Sequence, residues 1–472
     1  MSIEPIGLIT LILGLICLML GYRATTIAFV IMTVMGSAAA ILVGGASIQP
    51  AHLFIIFLAL STMLWRRMAA DALGCLRVSE PGFWLLCLTL YGVASGFVLP
   101  RLLADTTQII PLGASEHLGS GDGLVPLGPV SSNMTQSIYL IGDLLCFVMV
   151  AGIASHRRGF MTLTNALFAY AAANIFFAVI DMATSATGTQ DLLQFMRNAQ
   201  YTFHDEESVG DMRRIVGSWP EASAFAGMSL GALGFTGTMW LCGRRTVLAG
   251  TLAFLTLAFV VLSTSSTGLV GAAFVLAILY LTALRRCGLG QAERTSAVTV
   301  VLGPLVLIVA VLMILVDSRT ATRVYDHVDT LVLSKATTNS GLQRSGWNAY
   351  AWQNFLDSRG LGVGLGTNRT SSFPLAVLSN VGLPGAIFYL LFAASALGLQ
   401  RGVPRSLPFD VRLSARNGCL GLLVAGLIAG PTVDQGLLFY VLAALACADY
   451  ERSPMSRPAQ QALSRRMEVS VG

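Results

Sequence analysis

The residues in this chain best suited to chemistry are arginines at the mouths of apolar segments. Arg213 and Arg214, with Glu221 close behind, stand in "DMRRIVGSWPEASAFAG" just ahead of one such segment; Arg344, Arg359 and Arg369 frame "RSGWNAYAWQNFLDSRGLGVGLGTNR" ahead of another. A guanidinium is a planar, permanently charged fork that fits phosphate oxygens two at a time, so two such clusters point to a phosphorylated ligand. For any single arginine the plain alternative is a nearby acid such as Asp211 or Asp357, or a lipid headgroup. Within the second cluster Gly360, Gly362, Gly364 and Gly366 alternate with apolar residues. The run fits neither G-x-G-x-x-G nor a P-loop. Two readings remain for Gly362, Gly364 and Gly366. One is a tight turn where backbones pack closely; the other is a set of amides that, with Asn368, Arg369, Ser371 and Ser372, faces an anion. The sequence enters a long apolar segment at Phe373, so an anion bound there would arrive on a lipid.

Asp143, in "SIYLIGDLLCF", is the one carboxylate well inside an apolar run, and an ionisable group in such a place is a functional candidate by default. A polar neighbour that satisfies it for packing is the alternative. The five histidines and eight cysteines show no metal-ligand spacing; no metal and no cofactor are expected.

These residues must be positioned by membrane helices. Apolar residues make up 55% of the 472-residue chain and charged residues 11%, too few to cover a water-facing surface of that size, for which about 25% is usual. Apolar runs near 6–22, 25–45, 49–65, 81–99, 137–155, 159–181, 222–242, 246–263, 267–284, 296–316, 373–399, 415–430 and 433–449 predict about 12–13 transmembrane helices in an all-α polytopic protein. The first run lacks a basic leader region and is read as a span. Nineteen of the 29 lysines and arginines fall in short loops on one side or in the tail, which makes that side cytoplasmic. Residues 1–450 are then a single transmembrane domain with outward loops at about 100–136, 182–221 and 317–372. The last of these is partly helical, from the spacing in "LQRSGWNAYAWQNFLDSRG". Residues 451–472 form a basic cytoplasmic tail expected to be disordered. The net charge of +5 is a topology signal, and no nucleic-acid partner is expected.

Four pieces in order, "RRIVGSWPEASAFAG", "LSTSSTGLVG", "RSGWNAYAWQNFLDSRGLGVGLG" and "NRTSSFPLAVLSNVGLPG", resemble the O-antigen ligase and polysaccharide polymerase superfamily, and lie closest to bacterial exopolysaccharide polymerases. The resemblance covers roughly residues 200–400. It implies a GT-C-like, metal-independent glycosyltransferase in the bacterial inner membrane, active on the periplasmic face. Its substrate would be a polyprenyl-diphosphate-linked oligosaccharide in a bed of membrane lipids, with a flippase, a chain-length regulator and export proteins as partners. Carried over, Arg213 or Arg214 and Arg344 would neutralise the departing diphosphate; the base would be Glu221 or His327, or none, since a diphosphate leaving group reduces the need for one. Two departures stand out. Where ligases carry a histidine, this chain has Ser371 and Ser372, and Thr267 stands where relatives often have arginine. The expectation is therefore a polymerase of lipid-linked repeat units. An O-antigen-type ligase and a flippase are the alternatives. A flippase would line several spans with charge, whereas Asp143 stands almost alone.

Overall fold

A backbone in hydrocarbon must satisfy its own hydrogen bonds, and this chain does so with helix. The computed structural model describes residues 2–43, 46–115, 123–199, 208–209, 212–288, 293–399 and 401–452, and the chain is 74% helical. The helices in order are α1 (Pro5–Leu20), α2 (Tyr22–Met32), α3 (Pro50–Met63), α4 (Arg66–Gly74), α5 (Pro81–Leu102), α6 (Ser132–Ala154), α7 (Arg157–Thr187) and α8 (Ala222–Leu241). They continue with α9 (Thr246–Leu262), α10 (Ser266–Cys287), α11 (Arg294–Val316), α12 (Ser318–Val328), α13 (Asn339–Asp357), α14 (Phe373–Leu397), α15 (Leu407–Ala429) and α16 (Leu437–Cys447). Among the described residues strands occur only in short antiparallel sheets, the largest of three strands joining Ser2–Ile3, Ile41–Val43 and Ala46–Ile48.

The protein is a multi-pass membrane protein. Seven helices, α5, α6, α7, α10, α11, α14 and α15, are long and apolar enough to cross a bilayer, and α3 with α4, bent by 114°, makes an eighth if the pair is one span. This is fewer than the 12–13 expected, because several apolar runs are shorter helices. The run at 25–45 is the clearest correction. Helix α2 stops at Met32, and the chain then turns inside protein. There the Trp219 ring lies against Gly36, and the Ser37 hydroxyl donates to the carbonyls of Met196 and Ser218. Apolar sequence records burial without saying whether lipid or protein does the burying. Helix α11 is the opposite case: only Ser296 is buried, and Val301, Leu307, Met313 and Leu315 each lie bare. So much contiguous apolar surface is untenable in water and natural in lipid.

Helix α8 is the hub, packed on α15, α9 and α10. Its small residues let backbones approach: Gly231 lies on Leu422, and Gly421 of α15 lies against the Leu230 carbonyl. Helices α10 and α15 run end to end through the bundle, so their termini define its two ends. At one end buried Asp410 accepts from Arg244 Nε and Arg286 Nη1, both at 2.8 Å, and the Arg405 guanidinium donates to the Arg286 carbonyl at 2.9 Å. These arginines belong to the set read as cytoplasmic. The opposite end gathers the start of α8, the start of α10 and the end of α15, where Ala226 touches Gly268 and Ala425 touches Gly227. Beyond Arg452 the basic tail lies outside the described residues.

Candidate functional site

The glycine loop is where sequence and structure part. Helix α14 is broken at Gly382, whose φ of 61° and ψ of −164° are not helical. Pro384 has no N–H to give the Asn380 carbonyl, and the break turns the Leu383 N–H away from Ser379. The loop repairs all three defects. The Val363 N–H donates to the Ser379 carbonyl at 2.8 Å, Gly364 N–H to the Asn380 carbonyl at 2.9 Å, and Leu383 N–H to the Gly360 carbonyl at 2.8 Å. Gly362 N–H goes to Ser358 Oγ at 2.9 Å. A Cβ on Gly362 would lie 2.6 Å from Gly382 N, on Gly364 2.7 Å from Pro100 Cδ, and on Gly366 2.6 Å from the Ser132 carbonyl. The Gly362 and Gly364 amides are therefore spent within the protein, and Gly362, Gly364 and Gly366 are small so that the loop can thread between α5, α6 and α14. Packing accounts for these three, and the Gly362 and Gly364 amides are not free to face an anion.

Asn368 is buried with them. Its N–H donates to Asn380 Oδ1 at 3.0 Å, and Asn380 Nδ2 donates back to its carbonyl at 3.2 Å. It belongs to the same plug.

The loop does deliver its far end to an open site. Ser266, Thr267, Gly341, Arg344, Ser345, Asn348, Ser371 and Ile428 line a cleft of about 340 Å³. Arg344, Ser345 and Asn348 come from α13, one turn apart. Ser371 is fixed by its N–H, which donates to Asn348 Oδ1 at 2.9 Å. Ser266 and Thr267 are the first turn of α10, whose leading N–H groups have no carbonyl within the helix. Ser265 precedes that turn without capping it through its side chain, and Thr264 holds a left-handed φ of 49°. A helix N-terminus is electropositive, and half-buried Arg344 forms no hydrogen bond or ion pair among the described residues. The cleft can hold an anion. No protein-family model matches this chain, and no curated protein does.

The remaining predicted residues lie nearby or elsewhere. Arg369 stacks its guanidinium over Trp347 of α13, 5.2 Å from the ring centre, which holds α13 over the loop. Ser372 precedes α14 without capping it through its side chain. Glu221 holds the corresponding place ahead of α8 and accepts the Ser223 hydroxyl; it is not among the residues that line the cleft. Arg214 is half-buried outside the cleft lining, and the Arg213 side chain lies outside the described residues. The segment that follows, Ile215–Trp219, is strapped to α7. Asp181 accepts the N–H groups of Val216 and Gly217 at 2.9 and 3.0 Å and pairs with Arg197 at 2.7 Å.

Sequence reasoning missed Ser345, Asn348 and the α10 turn as cleft residues; the "SSTG" motif was the available signal for Ser266 and Thr267. It also missed Asp181 and Asp434. Asp143 does not stand alone: it faces Asp434, which the sequence places at the edge of the last apolar run.

Proposed function

We propose that the protein is a glycosyltransferase that polymerises lipid-diphosphate-linked oligosaccharide repeat units into an exopolysaccharide at the periplasmic face of the bacterial inner membrane, with a GT-C-like fold. The observation that carries this reading is the cleft, which joins Arg344, without a partner among the described residues, to the start of α10 beside Ser371, at the end of the bundle away from the Arg244–Asp410–Arg286 cluster. A diphosphate leaving group there would gain its negative charge as the glycosidic bond breaks. Arg344 and the α10 amides stabilise that charge where it develops, while Ser345, Asn348 and Ser371 offer hydroxyl and amide groups to a sugar.

The test uses a deletion strain complemented with wild type, Arg344→Ala or Arg344→Lys, from which polymer and lipid-linked oligosaccharides are extracted and sized. Loss of long polymer, with single repeat units accumulating on the carrier and the variant still in the membrane, is expected for both. Loss of one oxyanion-type donor lowers rates by about 10²–10³-fold, and lysine lacks the bidentate fork. Normal polymer from Arg344→Ala would refute the assignment. Long polymer that is made but never transferred would identify a ligase, and single units trapped on the cytoplasmic face a flippase.

A further inference from the structure

The cleft lies at one end of the bundle, and the other end carries arginines with unspent donors. Arg401, Arg412 and Arg416 line a narrow cavity between the end of α14, the first half of α15 and the end of α16, together with Leu397, Leu399 and Phe409. Its volume is about 10 Å³, room for one oxygen-sized group. Arg412 is buried and fixed in place. Its Nε donates to the Ala448 carbonyl at 2.6 Å, and its Nη1 donates to the Arg401 carbonyl at 3.1 Å and to Glu451 Oε2 at 3.3 Å. Nη2 has no hydrogen-bond partner and stands 3.8 Å from Asp449 Oδ1. Arg401 Nη1 donates to the Cys447 carbonyl, and no carboxylate pairs with Arg401 among the described residues. Arg416 follows Arg412 by one turn of α15. It is half-buried, forms no hydrogen bond or ion pair among the described residues, and has its Nε sealed from water. Asp410, the acid of α15, has both oxygens taken by Arg244 and Arg286.

Arg416 stands nine residues past Leu407, the start of α15, about 13 Å along the helix axis. A guanidinium so far into a spanning helix is costly without a counter-charge and marks a site, and no described side chain supplies one. The bilayer can. Leu399, which lines the cavity, is 65% exposed, so the cavity opens on apolar surface that an acyl chain can cover. A phosphodiester has two unesterified oxygens, the pair that an arginine fork meets best. We propose that this cavity binds an anionic phospholipid of the leaflet at this end. One phosphate oxygen enters between Arg416 and Arg412 Nη2, and the acyl chains lie over Leu399. With Asp449 and Glu451 counted, the three arginines still leave net positive charge, so a zwitterionic lipid, which brings its own cation, fits less well. This end is the one read as cytoplasmic, where basic pockets between spanning helices hold anionic headgroups. The bound lipid ties the α14–α15 connection, which carries Arg401, to α15, which carries Arg412 and Arg416.

The test uses the full chain purified in detergent as wild type, Arg416→Ala, Arg401→Gln and, as a control, Arg66→Ala, an exposed arginine of α4 outside the cavity. Phosphatidylglycerol, phosphatidylethanolamine and inorganic phosphate are added in turn. Bound lipid is counted by native mass spectrometry, and Tm is followed at each concentration. The tightest phosphatidylglycerol should bind wild type and the control alike and raise the Tm of both. Arg416→Ala should weaken that binding about tenfold or more, as expected for one lost charge-assisted contact. Arg401→Gln should act in the same direction and serves if Arg416→Ala does not fold. The proposal is overturned if phosphatidylethanolamine binds wild type as tightly as phosphatidylglycerol, or if the folded variants bind phosphatidylglycerol as wild type does. It is equally overturned if inorganic phosphate alone gives the same rise in Tm, since the cavity would then take a soluble anion.

Discussion

Gly362→Ala separates the packing account of the glycine loop from a binding account. The added methyl would lie 2.6 Å from Gly382 N and 2.7 Å from the Asn380 carbonyl oxygen, both backbone atoms that cannot swing aside, at a φ of +81°. A left-handed alanine costs about 1–3 kcal/mol, and overpacking a filled interior about 1–3 kcal/mol more, giving a loss of roughly 2–6 kcal/mol. With an unfolding entropy of about 2.1 cal/mol/K per residue, a chain of this size has an entropy of about 1 kcal/mol/K, so Tm should drop on the order of 2–6 °C. Detergent-solubilised membranes assayed by fluorescence size exclusion after a heating series would show this, alongside Gly74→Ala as a control. Gly74 has no heavy atom within 4 Å of the added carbon and no positive φ, so its variant should keep wild-type Tm. If Gly362→Ala keeps full Tm and full membrane abundance while polymer disappears, the loop binds substrate and the plug account is wrong.

Other perturbations test the rest of the frame. Asp181→Ala removes the carboxylate partner of buried Arg197 and the acceptor of two amides of the Ile215–Trp219 segment; breaking a buried pair in this way costs about 3–5 kcal/mol and should deplete the protein from membranes in a quantitative immunoblot. Asp410→Ala leaves Arg244 and Arg286 facing each other at the opposite end and should lower Tm by a similar amount, with a smaller loss for Asp410→Asn, which keeps one acceptor. Arg369→Ala removes a cation–π contact worth about 0.5–2 kcal/mol; α13 should become more accessible to proteolysis while the bundle melts at an unchanged temperature.

The sequence was legible wherever a physical signal was local. Continuous apolar runs marked α5, α6, α7, α10, α14 and α15, and turn residues on either side marked α13. Residues 33–43 were misread because hydropathy scores Trp219 packing and lipid packing alike. The glycine run carried two readings, a tight turn or an anion-facing loop, and only the long-range partners Ser379, Asn380 and Pro100 show the packing. Arg344 and Ser371 could be found from chemistry alone. Asp434 could not, because its meaning depends on Asp143, most of the chain away.

The broken helix also says something about biogenesis. A translocon releases helices sideways into lipid, where the bare carbonyls of Ser379 and Asn380 would have no partner. The loop that covers them is synthesised immediately before α14, and the α5 and α6 walls that hold the loop are made long before. The order of synthesis suits this arrangement: when α14 emerges, the loop and the helices that cover its bare carbonyls have already been made. An insertion between Ser358 and Phe373 that displaces the loop would leave those carbonyls bare and should deplete the protein from membranes.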